Sequence, residues 1–170
     1  MKQSFVIPLY KQFVIGKKTY DIPTQDAIEG ILASLAKFSN SKKAQAAYWL
    51  HRQAKVFIAS LVKQETSHLV PMKHYPVKIS YEIVTTNTKR WDIANLMTIY
   101  RKVIPDVLTG KFELGAGALP VIIIDDDWKH LRCDGEATVT ISEVYNYIKV
   151  KLEPFAGVEV EYTTVSKSLF

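Results

Sequence analysis

Two acidic elements carry the residue types that metal-assisted chemistry needs. Asp92-Ile93-Ala94-Asn95 opens a long helical pattern, and Asp125-Asp126-Asp127 closes the apolar run Val121-Ile122-Ile123-Ile124. Carboxylates at a helix start and at a strand end are a common way to hold Mg²⁺, a hard ion that takes oxygen ligands and keeps several waters. Such ions drive phosphodiester hydrolysis. Both elements also have a plain structural reading. Asp favours helix N-termini, where it complements the helix dipole, and it is common in turns after strands. Three aspartates in a row repel one another and ask for a cation or generous solvation. His51, His68, His74 and His130 show no paired spacing for zinc. Gly115-Ala116-Gly117-Ala118 lacks the rest of a phosphate-binding loop, so no nucleotide cofactor is expected.

The elements that must position these residues follow from periodicity. Ser4–Tyr10 and Phe13–Ile15 read as strands, with a turn at Gly16-Lys17-Lys18 and a further strand over Thr19–Ile22. Thr24 is placed to cap a helix whose apolar residues, Ala27 to Phe38, recur at helical spacing. Ser41 is placed to cap a second helix reaching about Gln64, with Ala44, Ala47, Tyr48, Leu50, Ala54, Phe57, Ile58 and Leu61 as its stripe. Val77–Thr85 alternates as a half-buried strand. A third helix is expected from about Asp92 to Leu108, with Pro105 kinking it or starting a new turn. Leu119–Ile124 reads as a buried strand, and Thr138–Ser142, Tyr147–Leu152 and Val158–Thr164 as further strands. Strands at both ends around three helices imply one α+β domain over residues 1–170 with a mixed β-sheet.

Composition narrows the partners. The 170 residues suffice for one domain with a core, and 48% hydrophobic with 23% charged residues is an ordinary globular balance. No apolar run reaches the ~18 residues of a membrane span, and no signal peptide is expected at Met1-Lys2-Gln3-Ser4-Phe5, which opens no long apolar stretch. The single Cys133 fits a reducing compartment, so a cytoplasmic location and no membrane partner are expected. A net charge of +5 favours anionic partners. Lys89 and Arg90 abut Asp92, where cations would suit a phosphate backbone crossing the site.

The segment Lys89-Arg90-Trp91-Asp92-Ile93-Ala94-Asn95, the later Asp106-Val107-Leu108, and Ile124-Asp125-Asp126-Asp127-Trp128-Lys129-His130-Leu131 together resemble the RusA family of Holliday junction resolvases, common in phages and prophages. The resemblance covers roughly Lys89 to Leu131. It implies a RusA-like fold and a Mg²⁺-dependent endonuclease that acts on branched DNA as a homodimer, in a bacterial host's cytoplasm if phage-encoded. Carried over by position, Asp92 matches the first motif aspartate and Asn95 the motif asparagine. Asp126 matches the catalytic member of the later acidic pair, with Asp125 beside it. Asp92, Asp125 and Asp126 would then hold the metal. Lys102 or Lys129 would stabilise charge on the phosphate undergoing transfer, and Lys89, Arg90 and Lys129 would contact DNA.

The sequence departs from the family pattern at two places. Ala94 stands where the family has a second aspartate, and Thr98 stands at the motif-helix lysine, for which Lys102 or Arg101 would substitute. Ala94 is either natural to a degenerate member or a replacement of Asp, and either origin implies cleavage that is absent or strongly impaired. The expected arrangement puts Ala94 in the acidic cluster and Asp92 close enough to Asp126 to share one hydrated ion. The alternative is a non-catalytic junction-binding or phage regulatory protein on the same fold. A third reading, an inhibitor whose acidic patch mimics DNA, sits poorly with the net positive charge.

Overall fold

A computed structural model of the chain describes residues 1–37, 41–112, 121–127, 129–133 and 137–156, without the side chains of Gln25, Arg90, Trp91 and Asp92. The elements run β1 (Gln3–Pro8), β2 (Gln12–Ile15), β3 (Lys18–Asp21), α1 (Gln25–Lys37), α2 (Lys42–Glu65), β4 (Val77–Thr85), α3 (Arg90–Leu108), β5 (Leu131–Cys133), β6 (Thr138–Ile141) and β7 (Tyr147–Pro154). The fold is α+β with a mixed sheet, as the element order implied.

The main sheet is ordered β1-β7-β4, with β5 and β6 following one another along the far side of β4. β7 pairs antiparallel with both β1 and β4, whereas β5 and β6 run parallel to β4. Alternation decides the faces. Phe5 and Ile7, Val77, Ile79, Tyr81 and Ile83, and Ile148, Val150 and Leu152 are buried. The opposite face is polar, with Lys151 bonding Glu82 at 2.9 Å. Helices cover the apolar face. α3 is the main core helix, burying Ile93, Leu96, Met97, Ile99, Tyr100, Val103, Ile104, Val107 and Leu108. α2 adds Ala54, Ile58, Ala59 and Val62.

Tyr100 ties α3 to the first strands. Its hydroxyl donates to the Tyr10 carbonyl and accepts from the Tyr10 N–H, both at 3.0 Å. A separate hairpin, β2–β3, turns at Gly16, whose φ of 61° lies in the left-handed region that glycine adopts without strain. The hairpin packs on α2 through Phe13, which stacks on Phe57 with centroids 5.6 Å apart.

Several sequence expectations change. Residues 121–124 form no strand, with bends over 122–124, because their polar groups serve other elements: the Ile122 and Ile123 N–H groups cap α3, and the Ile122 carbonyl accepts from the Met72 N–H. β5 was not foreseen, since Leu131-Arg132-Cys133 is too short to show a period. Tyr48, expected in the buried stripe of α2, is exposed. The end of α3 at Leu108 is as expected, with Pro105 inside the helix. The expected strand Val158–Thr164, the loop Gly115–Gly117 and residues 119–120 lie outside the described residues.

Candidate functional site

The two acidic elements lie at opposite ends of α3. At the C-terminal end, Gly110 adopts φ 72°, the conformation that closes a helix in a Schellman motif. The Gly110 N–H donates to the Val107 carbonyl and the Lys111 N–H to the Asp106 carbonyl. The Thr109 hydroxyl donates to the Pro105 carbonyl at 2.9 Å. Ile122 and Ile123, both buried, bring their N–H groups to the Leu108 carbonyl. The last-turn carbonyls are thereby satisfied, and the segment leading to the aspartates is pinned against the helix end.

This closure aims Lys111 at the acidic pair. Its Nζ donates to Asp125 Oδ1 at 2.5 Å and also to Asp126 Oδ1. The Asp126 N–H donates to Asp125 Oδ1 at 2.7 Å. Lys111, followed by the Asp126 side chain and N–H, holds the Asp125 carboxyl down at about 2. The same two carboxylates push the Lys111 ammonium above its ordinary range. Asp106 sits alongside, on the last turn of α3. Burial raises its carboxyl pKa, Lys102 one turn earlier opposes that rise, and Asp126 reinforces it; Lys55 from α2 and Lys111 oppose it further. Three carboxylates and three lysines thus share one end of the helix. Asp127 has a separate, structural role: its Oδ1 accepts from the Lys129 N–H at 2.9 Å and the His130 N–H at 3.0 Å and meets His130 Nδ1 at 2.7 Å, which closes the turn into β5.

The N-terminal end of α3 is built differently. Asn146 Oδ1 accepts from the Thr85 hydroxyl at 2.9 Å and from the Thr86 N–H at 3.0 Å, which fixes the exit from β4. Asn87 Oδ1 accepts from the Lys89 N–H at 2.9 Å. Lys89 is the N-cap, with extended backbone and no side-chain cap. The helix therefore starts at Arg90, earlier than the sequence reading placed it, and Asp92 is its third residue rather than its cap. Beside this end runs an open groove of about 530 Å³ lined by Thr88, Ile93, Ala137, Thr138, Val139 and Ile141.

Positions 92 and 106 are fourteen residues apart on one continuous helix, which at 1.5 Å per residue is about 21 Å along its axis. Asp125 and Asp126 are gathered at the far end by Lys111, with Asp126 close enough to Asp106 to influence its ionisation. The backbone therefore does not bring Asp92 into one cluster with Asp126, and Ala94 is exposed near the start of α3 rather than turned into the acidic pair. Asn95 is half-buried one residue on. Lys102 is exposed at the Asp106 end, and Lys129 is exposed in the turn before β5. Lys89 and Arg90 stand together at the N-terminal end. Among the described residues, no group of three or more His, Cys, Asp or Glu is arranged to hold a metal ion.

The sequence reading missed Lys111. The signal available for it was its place directly after Gly110: a glycine at a helix end sets the direction of the next side chain. Among the described residues no helix is long and apolar enough to cross a membrane. No protein-family model, curated protein or solved structure matches the chain.

Proposed function

We propose that this chain binds branched DNA on a RusA-like plan, as a homodimer, and that it is a strongly impaired form of a Mg²⁺-dependent junction endonuclease. The observation that carries the reading is the Lys89–Asn95 motif set at the cap and first turns of α3, a short connection after β4. That junction puts two cations, Lys89 and Arg90, at the positive end of a helix with no side-chain cap. The dipole and the unsatisfied N–H groups of a helix start attract phosphate, and Lys89 and Arg90 add charge of the same sign. A four-way junction is two-fold symmetric, so two copies of one chain suit it.

Mg²⁺ enters as the ion that the resemblance implies. Its ligands are not gathered in this arrangement: Asp92 stands at one end of α3, while Asp125 and Asp126 are bonded to Lys111 at the other. No cleavage step is therefore routed through a metal. The same separation favours a second reading, a junction-binding protein that does not cut.

The deciding measurement is junction binding and Mg²⁺-dependent cleavage for this chain and for Ala94→Asp in parallel. The proposal expects tight junction binding by both and little cleavage by the chain as written; the impaired-endonuclease reading further expects measurable Mg²⁺-dependent cleavage by Ala94→Asp, in which the second motif aspartate would stand again two residues after Asp92 at the start of α3. An inert Ala94→Asp that still binds junctions establishes the non-catalytic reading. Absence of DNA binding at low salt sinks both.

A further inference from the structure

α2 carries an unusual charge distribution. Over Lys42–Glu65 it holds Lys42, Lys43, Arg52, Lys55 and Lys63 against one acid, the terminal Glu65. Two of those cations sit in its first turn, where the helix dipole opposes positive charge. The same half of the helix exposes two large aromatic rings, Tyr48 at 47% and Trp49 at 45%. Lys42, Gln45, Trp49 and Arg52 fall on one stripe at i, i+3, i+7 and i+10, and Tyr48 is one turn from Arg52 on the same side. A core-seeking helix would turn these rings inward; here the buried residues of the first half are limited to Ala44.

The β2–β3 hairpin completes the face. Tyr20 meets Trp49 edge-on, with centroids 6.4 Å apart and planes at 77°, so the indole is braced from the side while its ring remains partly open. Lys18 lies two residues from Tyr20 on the same side of β3, and Lys17 precedes it at the turn; both are exposed. Lys17, Lys18, Lys42, Lys43 and Arg52 make no ion pair among the described residues. Open aromatic rings interleaved with unneutralised cations are what an unpaired nucleic-acid strand recognises: each base stacks on a ring and each phosphate meets a cation. A protein partner would need acidic side chains and gain little from flat rings held in the open, and a duplex hides its base faces.

From this juxtaposition we infer that the Tyr48–Trp49–Arg52 face of α2, with Lys17, Lys18 and Tyr20 of the hairpin, binds single-stranded DNA by stacking bases on Trp49 and Tyr48. The inference rests on the branched-DNA reading for its biological strand, the unpaired bases at a branch point, but the face stands on its own geometry.

The test titrates a fluorescein-labelled oligothymidine and, separately, a four-way junction, at low salt, with the folded state of each variant checked by circular dichroism. The unchanged chain is expected to bind oligothymidine, with Trp49→Ala and Tyr48→Ala each weakening it by roughly tenfold, as loss of one stacked base predicts. Trp49→Phe should hold most of the affinity while removing part of the tryptophan quenching seen on binding. Trp49→Lys adds a positive charge and removes the ring, so it should weaken binding too. Oligothymidine binding that is equal or tighter in Trp49→Lys, or that is unchanged in a folded Tyr48→Ala, overturns the stacking face. If the junction still binds tightly in that case, the branched-DNA reading stands without it. If oligothymidine binds through Trp49 but the junction binds no tighter than linear duplex, the face stands and the branched-DNA reading falls. An oligouridine of equal length that binds much more tightly assigns the face to RNA and overturns its link to DNA.

Discussion

The two ends of α3 place their charges against the helix dipole in opposite senses and deal with the conflict in opposite ways. The N-terminal end carries Lys89 and Arg90 ahead of Asp92, and the last turn carries Asp106 with no basic residue. Each choice is unfavourable by a few tenths of a kcal/mol up to about 1 kcal/mol. At the C-terminal end the protein supplies its own answer: Lys111 joins Asp125 and Asp126, Lys102 and Lys55 attend Asp106, and buried Ile122 and Ile123 seal the carbonyls. At the N-terminal end the cap residue supplies no side-chain capping hydrogen bond, and a groove lies alongside. A conflict resolved internally marks a structural end. An end whose cap no side chain supplies is where the proposed DNA contact belongs.

The largest expected effect breaks the closed end. Ile123 is fully buried and its N–H bonds the Leu108 carbonyl. Ile123→Ala should lower unfolding free energy by about 2–5 kcal/mol, the range for truncating a core Ile. Val139 lines the groove and is 38% exposed, so Val139→Ala should cost about 1 kcal/mol or less on the same scale. Denaturant melts of the two variants read the contrast directly. Equal losses would mean that the groove end is as tightly packed as the sealed end.

Removing both cations from the open end tests its role. Lys89→Ala with Arg90→Ala should weaken DNA binding and reduce the salt slope by about two, since each lost phosphate contact releases about one fewer counterion. Unfolding free energy should hold or rise slightly, because unfavourable charge has left the helix start. An unchanged salt slope places the DNA elsewhere on the molecule.

Lys111→Met tests the internal answer at the closed end. The Asp125 carboxyl, ordinarily at 3.8, is held at about 2 by Lys111 first and by Asp126 next. A folded pKa below the unfolded one contributes stability above about pH 4, and that contribution is lost as the pH falls through about 2. In Lys111→Met the Asp125 titration, followed by carboxyl carbon NMR, should move up from about 2 toward 3.8. The acid arm of the stability profile should flatten with it. A titration that stays near 2 assigns the depression to Asp126, its side chain and its N–H, instead.

The contrast between the ends also explains what the sequence could disclose. Strand β4 was legible to the residue because Val77, Ile79, Tyr81 and Ile83 alternate against one buried face. The α2 start was legible from Ser41, whose hydroxyl accepts from the Ala44 N–H at 3.4 Å. The run Val121-Ile122-Ile123-Ile124 misled because an unbroken apolar run has no period. Half of it is buried as a plug on the end of α3, with hydrogen bonds no local pattern encodes. The site suffered from the same cause. That Asp125 and Asp126 belong together is a matter of adjacent residues, but which end of a long helix they meet depends on where that plug docks. The family resemblance put Asp92 and Asp126 in one cluster; the plug docks at the end of α3 opposite position 92.

The smallest expected effect sharpens the argument about the open end. Lys89 is an N-cap residue with φ −88° and ψ 98°, the extended geometry in which Ser, Thr, Asp or Asn would accept a hydrogen bond from the helix's second or third N–H. Lysine has no acceptor to offer there and brings charge of the wrong sign. Lys89→Ser should therefore stabilise the fold by about 0.5–1 kcal/mol, seen as a shift in the denaturant midpoint at unchanged slope. The same change should weaken DNA binding and lower the salt slope by about one, since one phosphate contact goes with the lysine. A gain in stability with a loss in affinity is the signature of a residue kept for a ligand at the expense of the helix. A gain in stability with affinity and salt slope unchanged would show that Lys89 contacts no phosphate, and the open end of α3 would lose its claim to the DNA.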